Sequence, residues 1–345
     1  MRRLLVVLTL FATVSVSAPF AQAQLLIPGA ASPLIISLSP TSPKPGEQVR
    51  LNVTSTLYDL RDSDITWRAG GTVIMEGIGA TEARVTAGGL GSVTTVTVSA
   101  AHTDGGVASA SVNITPAQID LLWESDSYTP PLYRGRALAG AGTSVRVIAI
   151  PHLVRPNGTE IPVNQITFTW RKNGTVLGSL SGRGRSLLFT SSPMLFDADT
   201  ISVEAIATDR SISATNSVRI NSEKTPLRLY QDHPLFGRLF HQALGASTPI
   251  SESEMTFEAI PYFASVRTVR DRALEYNWEV NRVAVTPDAN APNTITINAE
   301  GSTGIAIIDL SVFHSTNLFF EANGNWEVNF RSTGAGGSDP FSARQ

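Results

Sequence analysis

Short runs of alternating apolar and polar residues, rich in Val, Ile and Thr, recur along this chain with Gly, Pro, Asn or Asp between them. A period of two marks half-buried strands joined by turns. Gln48 to Thr56 sets Val49, Leu51 and Val53 against Arg50, Asn52 and Thr54. Ser92 to Ala100 repeats the device less regularly with Val93, Val96 and Val98, and Val107 to Ile114 follows the turn Thr103-Asp-Gly-Gly106. Strands are expected again over Ser144 to Ile150, Thr200 to Thr208 and Ser213 to Ile220. A third group covers Met255 to Phe263, Thr294 to Ala299, Gly304 to Phe313 and Trp326 to Phe330. No long stretch has a helical apolar period. One short helix is expected at Pro234 to Leu244, with Asp232 or His233 near its N-terminus.

A tryptophan-centred strand occurs three times: Asp64-Ile-Thr-Trp67-Arg-Ala-Gly-Gly, Thr167-Phe-Thr-Trp170-Arg-Lys-Asn-Gly and Glu275-Tyr-Asn-Trp278-Glu-Val-Asn-Arg. The tryptophans lie 103 and 108 residues apart (67 to 170, 170 to 278), and a repeat of that period means one supersecondary unit per copy. Each copy has an early strand, the Trp strand and a late hairpin. Polar residues and proline interrupt the strands near Pro116 and near Glu223 to Pro226. The expected division is therefore a leader at 1–23, a linker at 24–32, domains at 33–116, 117–222 and 223–333, and a flexible tail at 334–345. Trp67, Trp170 and Trp278 are the expected core of the three domains.

Units two and three also open alike. Leu121-Leu-Trp-Glu-Ser-Asp126 leads to Pro131-Leu-Tyr133, and Leu227-Arg-Leu-Tyr-Gln-Asp232 leads to Pro234-Leu-Phe236. Apolar residues at a domain entrance pack against the preceding domain more often than they bind ligand. Trp123, Pro131, Leu132, Tyr133, Tyr230, Pro234, Leu235 and Phe236 are accordingly expected to wedge the joints.

Over roughly residues 33 to 333 the chain resembles the immunoglobulin-like and PKD-like sandwich modules of exported bacterial proteins. The likeness rests on the Trp strand with its Gly or Asn turn, on Pro43-Lys-Pro-Gly46 before the second strand of unit one, and on the late strand pair. It implies an all-β chain of three tandem sandwiches, each with its indole buried between two sheets. No cysteine brackets any Trp, and no tyrosine stands in the late strand where a tyrosine corner would lie. The likeness is thus to the architecture and not to antibody domains, and the fold by itself does not specify a function.

Composition narrows the setting. Arg2 and Arg3, the apolar Leu4 to Val16 and the small residues of Ala21-Gln-Ala23 read as a secretory leader cut before Gln24. The apolar run is too short to span a bilayer comfortably, and losing the two arginines takes the net charge from −3 to −5. The expected location is secreted or cell-surface, or periplasmic in a two-membrane cell. Lys+Arg number 26 against 29 Asp+Glu, which gives no basic excess for nucleic acid or an anionic membrane. The chain has no cysteine, so disulfides, thiol nucleophiles and thiolate metal sites are excluded.

Catalytic patterns are thin. His102, His152, His233, His241 and His314 are scattered, Gly178-Ser-Leu-Ser-Gly182 has the wrong spacing for a nucleophile elbow, and Gly182-Arg-Gly184 lacks the lysine of a phosphate loop. No catalytic, cofactor or metal residue is assigned. Asp62-Ser-Asp64, Asp197-Ala-Asp199 and Asp288-Ala-Asn290 offer too few oxygens for calcium and read as turn formers. Four Asn-x-Thr sequons receive no role, and Arg267-Thr-Val-Arg-Asp-Arg272 reads as a solvated loop or strand edge. Tyr58 and Tyr128 are too dispersed for a sugar platform. Binding would use the long Leu153 to Asn164 loop, Gly178 to Ser186 or a sheet edge. The expectation is a non-enzymatic spacer or adhesive protein with a protein or glycan ligand. A carbohydrate-binding protein and a pilus or secretion accessory subunit are the alternatives.

Overall fold

The computed structural model describes residues 32–57, 59–103, 105–194, 197–250, 254–298 and 304–330. The leader, most of the linker, Tyr58, Ala299 and the C-terminal tail lie outside them. The first group of strands is β1 (Leu34–Ser39), β2 (Gln48–Ser55), β3 (Asp64–Ala69), β4 (Thr72–Ile78), β5 (Glu82–Thr86), β6 (Thr94–Ala101) and β7 (Val107–Ile114). The second is β8 (Gln118–Ser125), β9 (Ser144–His152), β10 (Ile166–Lys172), β11 (Thr175–Val176), β12 (Gly182–Arg183), β13 (Leu187–Ser191), β14 (Ala198–Ala207) and β15 (Ser213–Asn221). The third runs β16 (Leu227–His233), β17 (Gly237–Ala243), β18 (Ser247–Ile250), β19 (Glu254–Pro261), β20 (Leu274–Val280), β21 (Val283–Val285), β22 (Thr294–Asn298), β23 (Gly304–His314) and β24 (Glu321–Phe330).

These strands form six sheets that face each other in pairs. The orders are β1-β2-β5 against β4-β3-β6-β7, then β13-β9-β8 against β11-β10-β14-β15 with β12 also on β10, then β17-β16-β19-β22 against β18-β24-β23-β20-β21. In the first two sandwiches the fourth strand pairs with the third and not with the fifth, which sets them apart from the antibody constant-type order. The molecule is an all-β series of immunoglobulin-like sandwiches. Three hydrophobic clusters, spanning Leu34 to Ile114, Ala117 to Ile220 and Leu227 to Val328, fill the sandwiches in turn.

Alternation accounts for each core. Val49, Leu51 and Val53 point inward from β2 and are at most 2% exposed, while Arg50 and Thr54 face solvent. Val93 falls outside this scheme, lying before β6 and 42% exposed. The three indoles are buried, and each N–H donates to the chain just ahead of the strand that enters the opposite sheet. Trp67 Nε1 donates to the Ala80 carbonyl at 2.8 Å, Trp170 Nε1 to Arg185 at 2.8 Å and Trp278 Nε1 to Pro292 at 2.9 Å. A buried indole N–H needs an acceptor, and here meeting that need pins one sheet's centre to the crossover.

The expected helix at Pro234 to Leu244 is absent. Residues 234–236 turn between β16 and β17, with Gly237 at φ +66°, a left-handed conformation that suits glycine and stops a helix. β17 then pairs irregularly, with Tyr230 opposite Ala243 but Asp232 opposite Arg238. β18 runs parallel to β24, so the connection between the first two core strands of the third sandwich borders both sheets.

Candidate functional site

Two seams join the three sandwiches: at the first, the β1–β2 and β5–β6 connections meet Ala117, Ser213 and the chain after β9, and at the second, the β8–β9 connection meets the chain after β19 and Asn317. At the first seam Gly91, at φ +76°, lies against Val154 and Arg155; a β-carbon there would stand 3.1 Å from Arg155 O and from Val154 Cγ1. Ser42 Oγ and Ser213 Oγ are 2.7 Å apart, and Ala117 N donates to Pro43 O at 3.1 Å. Arg155 Nη1 donates to Asp209 Oδ2 at 2.6 Å, tying two connections of the second sandwich together. The Leu153 to Asn164 loop, expected to bind a ligand, is therefore a strut. Leu153 and Ile161 enter the second core, and its tip faces the first sandwich. Gly178 to Ser186 is also committed, since it contains β12 and supplies the carbonyl for Trp170.

At the second seam the backbone itself is shared. Tyr128 N donates to Ala264 O and Phe263 N to Tyr128 O, both at 2.8 Å. Tyr133 stands edge-on to Tyr262 and Phe263, with ring centroids at 6.1 and 5.6 Å; such edge-to-face pairs contribute about 0.5–1.5 kcal/mol beyond their buried area. Asn317 Nδ2 donates to Ala141 O at 2.7 Å. Phe263 is buried at φ +61°, a conformation uncommon for a large side chain, held here by hydrogen bonds across the seam. Pro130, Pro131, Leu132, Tyr133, Phe240 and Tyr262 line an open cleft of about 580 Å³ beside the contact.

The wedge residues expected from sequence separate into three groups. Tyr133 packs on the next sandwich, and Tyr230 is buried with its hydroxyl 2.6 Å from that of Tyr262. Trp123 instead fills the second sandwich's own core, with the Arg136 guanidinium 3.8 Å from its ring centroid. Leu132, Leu235 and Phe236 wedge no joint: they are 88%, 83% and 75% exposed, and Pro131 and Pro234 are exposed beside them. Tyr128, which sequence reasoning treated as a surface ring, is the residue it missed. It packs between the third core and the small cluster of Tyr230, Ile260 and Val269. Burial raises the Tyr128 phenol, and burial followed by the Tyr230 hydrogen bond raises that of Tyr262.

Beneath this seam Glu258 is fully buried. Its Oε1 accepts from Asn293 Nδ2 at 2.7 Å, and its Oε2 is ion-paired with Arg238 Nε. The pair fastens β17 to the sheet. Elsewhere acids serve local geometry. Asp199 takes Asn173 Nδ2 at 2.7 Å and Lys172 Nζ at 2.8 Å, and Asp288 accepts from Asn290 N. Among the described residues no three His, Asp or Glu side chains converge as a metal set, and no helix is long and apolar enough to cross a membrane.

The solvent face of β8-β9-β13 differs from that of the corresponding sheet in the first sandwich. On β8-β9-β13 the register sets Leu122 and Leu187 on either side of Ile148, with Ile150 and Phe189 adjacent, and all five are 38–57% exposed. The Arg146–Glu124 ion pair and the His152–Asp120 pair at 3.2 Å flank the apolar row. Asp120 is held below the usual carboxylate range, first by Gln118 and then by His152. In the first sandwich the same face carries Arg50, Asn52, Glu82 and Arg84. The fold therefore does not require apolar residues there.

These features define a tandem array of immunoglobulin-like sandwiches with contacts across both seams and an exposed apolar face on the β8-β9-β13 sheet. No family model and no curated protein matches the sequence. Solved structures similar to it include the fibronectin(III)-like modules of Clostridium thermocellum CbhA (16% identity, TM-score 0.27, covering 55% of this chain and 94% of that one). The three N-terminal domains of the bacteriophage RB49 outer capsid protein Hoc are also similar (10%, 0.26, 86% and 97%), as is the central fibronectin-III array of RIM-binding protein (10%, 0.28, 88% and 97%). Likenesses of that size carry no functional inference; the architecture stands on sheet order and cores.

Proposed function

We propose that this protein is an exported, non-enzymatic spacer and interaction protein that holds a binding face at a fixed distance and orientation outside the cytoplasmic membrane. The observation that carries the reading is the second seam, where paired backbone hydrogen bonds at Tyr128 and the Tyr133 ring contacts restrain a joint that a spacer needs stiff. Export rests on the leader-like residues 1–23. The interaction role is supported by the Leu122, Ile148, Leu187 and Phe189 face, since exposed contiguous apolar surface on a soluble domain marks interaction sites. The test is fractionation of cells producing the full chain, together with co-purification by wild type and by Ile148→Asp. Recovery outside the cytoplasm, with a partner that the variant loses, supports the proposal. Cytoplasmic retention, or identical recovery by both proteins, contradicts it. The same experiment with polysaccharides as bait separates a glycan-binding role from a protein-binding one.

A further inference from the structure

The solvent face of β1-β2-β5 carries two arginines side by side with no acid to answer them. Arg50 of β2 stands directly opposite Arg84 of β5 and, on its other side, opposite Ser39 of β1. Both arginines are exposed. Like charges directly opposite each other on one sheet face destabilise the strand pair. Among the described residues neither guanidinium has a hydrogen-bond or ion-pair partner. The nearest acids along the strands are committed elsewhere or out of line: Glu47 Oε2 accepts from Lys44 N at 2.8 Å, and Glu82 stands opposite Asn52.

The second sandwich shows the same place neutralised. Arg146, like Arg50 the third residue of its strand, lies between Glu124 and Phe189 in register and is ion-paired with Glu124. In the first sandwich Ser39 takes the place of that glutamate, and Arg84 takes the place of the phenylalanine. An acid is thus missing and a second cation added, in a chain whose net charge is −3, so the positive charge is a local feature and not part of a basic field. Ser39, Gln48, Arg50 and Arg84 line an open cleft of about 430 Å³. We infer that these four residues bind an oxyanion: the phosphate, sulfate or carboxylate group of a polar ligand. Each guanidinium offers paired N–H donors that match two oxygens of such a group, the Ser39 hydroxyl and Gln48 amide add donors from either side, and the bound anion offsets the Arg50–Arg84 repulsion. The site is on the first sandwich, so it stands independently of the apolar face of the second.

The test is titration of the full ¹⁵N-labelled chain with inorganic phosphate, inorganic sulfate, glucuronate and, as the uncharged control, glucose. At least one of the anions should produce saturable amide shifts at Ser39, Gln48, Arg50 and Arg84 that weaken with added sodium chloride; phosphate or sulfate alone would name a tetrahedral group, glucuronate a sugar carboxylate. Arg84→Gln should weaken binding about fivefold, as expected for an exposed charge pair. Arg84→Glu, which recreates the acid–base pair of the second sandwich, should abolish it and raise the melting temperature of the anion-free protein. Saturation at none of the four residues by any anion, equal affinity in wild type and Arg84→Glu, or glucose shifting the same residues as glucuronate would overturn the assignment.

Discussion

Each indole does two jobs, filling the core and donating to the crossover carbonyl. Trp170 is fully buried with Arg185 O as acceptor, so Trp170→Ala should cost about 3–5 kcal/mol in denaturant unfolding of the second sandwich. Trp170→Phe keeps most of the volume and should cost less, with about 1–3 kcal/mol of the loss traceable to the unsatisfied carbonyl. Glu258 is a different case. Removing its partner with Arg238→Met leaves a buried charge uncompensated and should destabilise by about 3–5 kcal/mol, whereas adding Glu258→Leu should recover much of that. A double-mutant cycle in urea checks both. Asp209 contributes an acid-sensitive tie between two connections of the second sandwich. Its carboxyl is held well below the usual range, first by the Ser211 side chain and then by Arg155. A depressed folded value means that the stabilisation is complete above the unfolded value near ~3.9 and is lost as pH falls toward the folded one. The melting temperatures of wild type and Asp209→Asn should therefore differ at neutral pH and converge in strong acid.

The elements were legible in sequence wherever side-chain volume and a period of two acted together. Gln48 to Thr56 matches β2 within a residue, Val107 to Ile114 is β7, and the three Trp strands are internal strands of their sheets. The hairpin at 234–243 was not legible as strands. Leu235 with Leu239, and Phe236 with Phe240, fall four apart and imitate a helix face. In the structure that spacing comes from a turn and an irregular strand held by Arg238 on a buried carboxylate. The seams were half visible. An aromatic after Pro-Leu signals a contact but does not say which copy has a neighbour, and Tyr128 carried no pattern because its partners lie on another sandwich. At the first seam Gly91→Val should strain the left-handed backbone and press on Arg155 O. Loss of the contact should appear as chemical-shift changes at Val154 and Arg155, with the first core's unfolding otherwise retained.

At the scale of the molecule, a spacer requires the sandwiches to move together. Backbone hydrogen bonds, two aromatic contacts and the Asn317 bond all cross the second seam, whereas a flexible linker would leave each sandwich to tumble alone. Amide ¹⁵N relaxation separates these cases. Residues of the second and third sandwiches should report one shared rotational correlation time in the full-length protein; Tyr133→Ala combined with Gly140→Val, whose β-carbon would stand 3.0 Å from Phe263 O across the seam, should split it into two shorter ones. Separate, short correlation times for the two sandwiches in the unmodified protein would contradict the account.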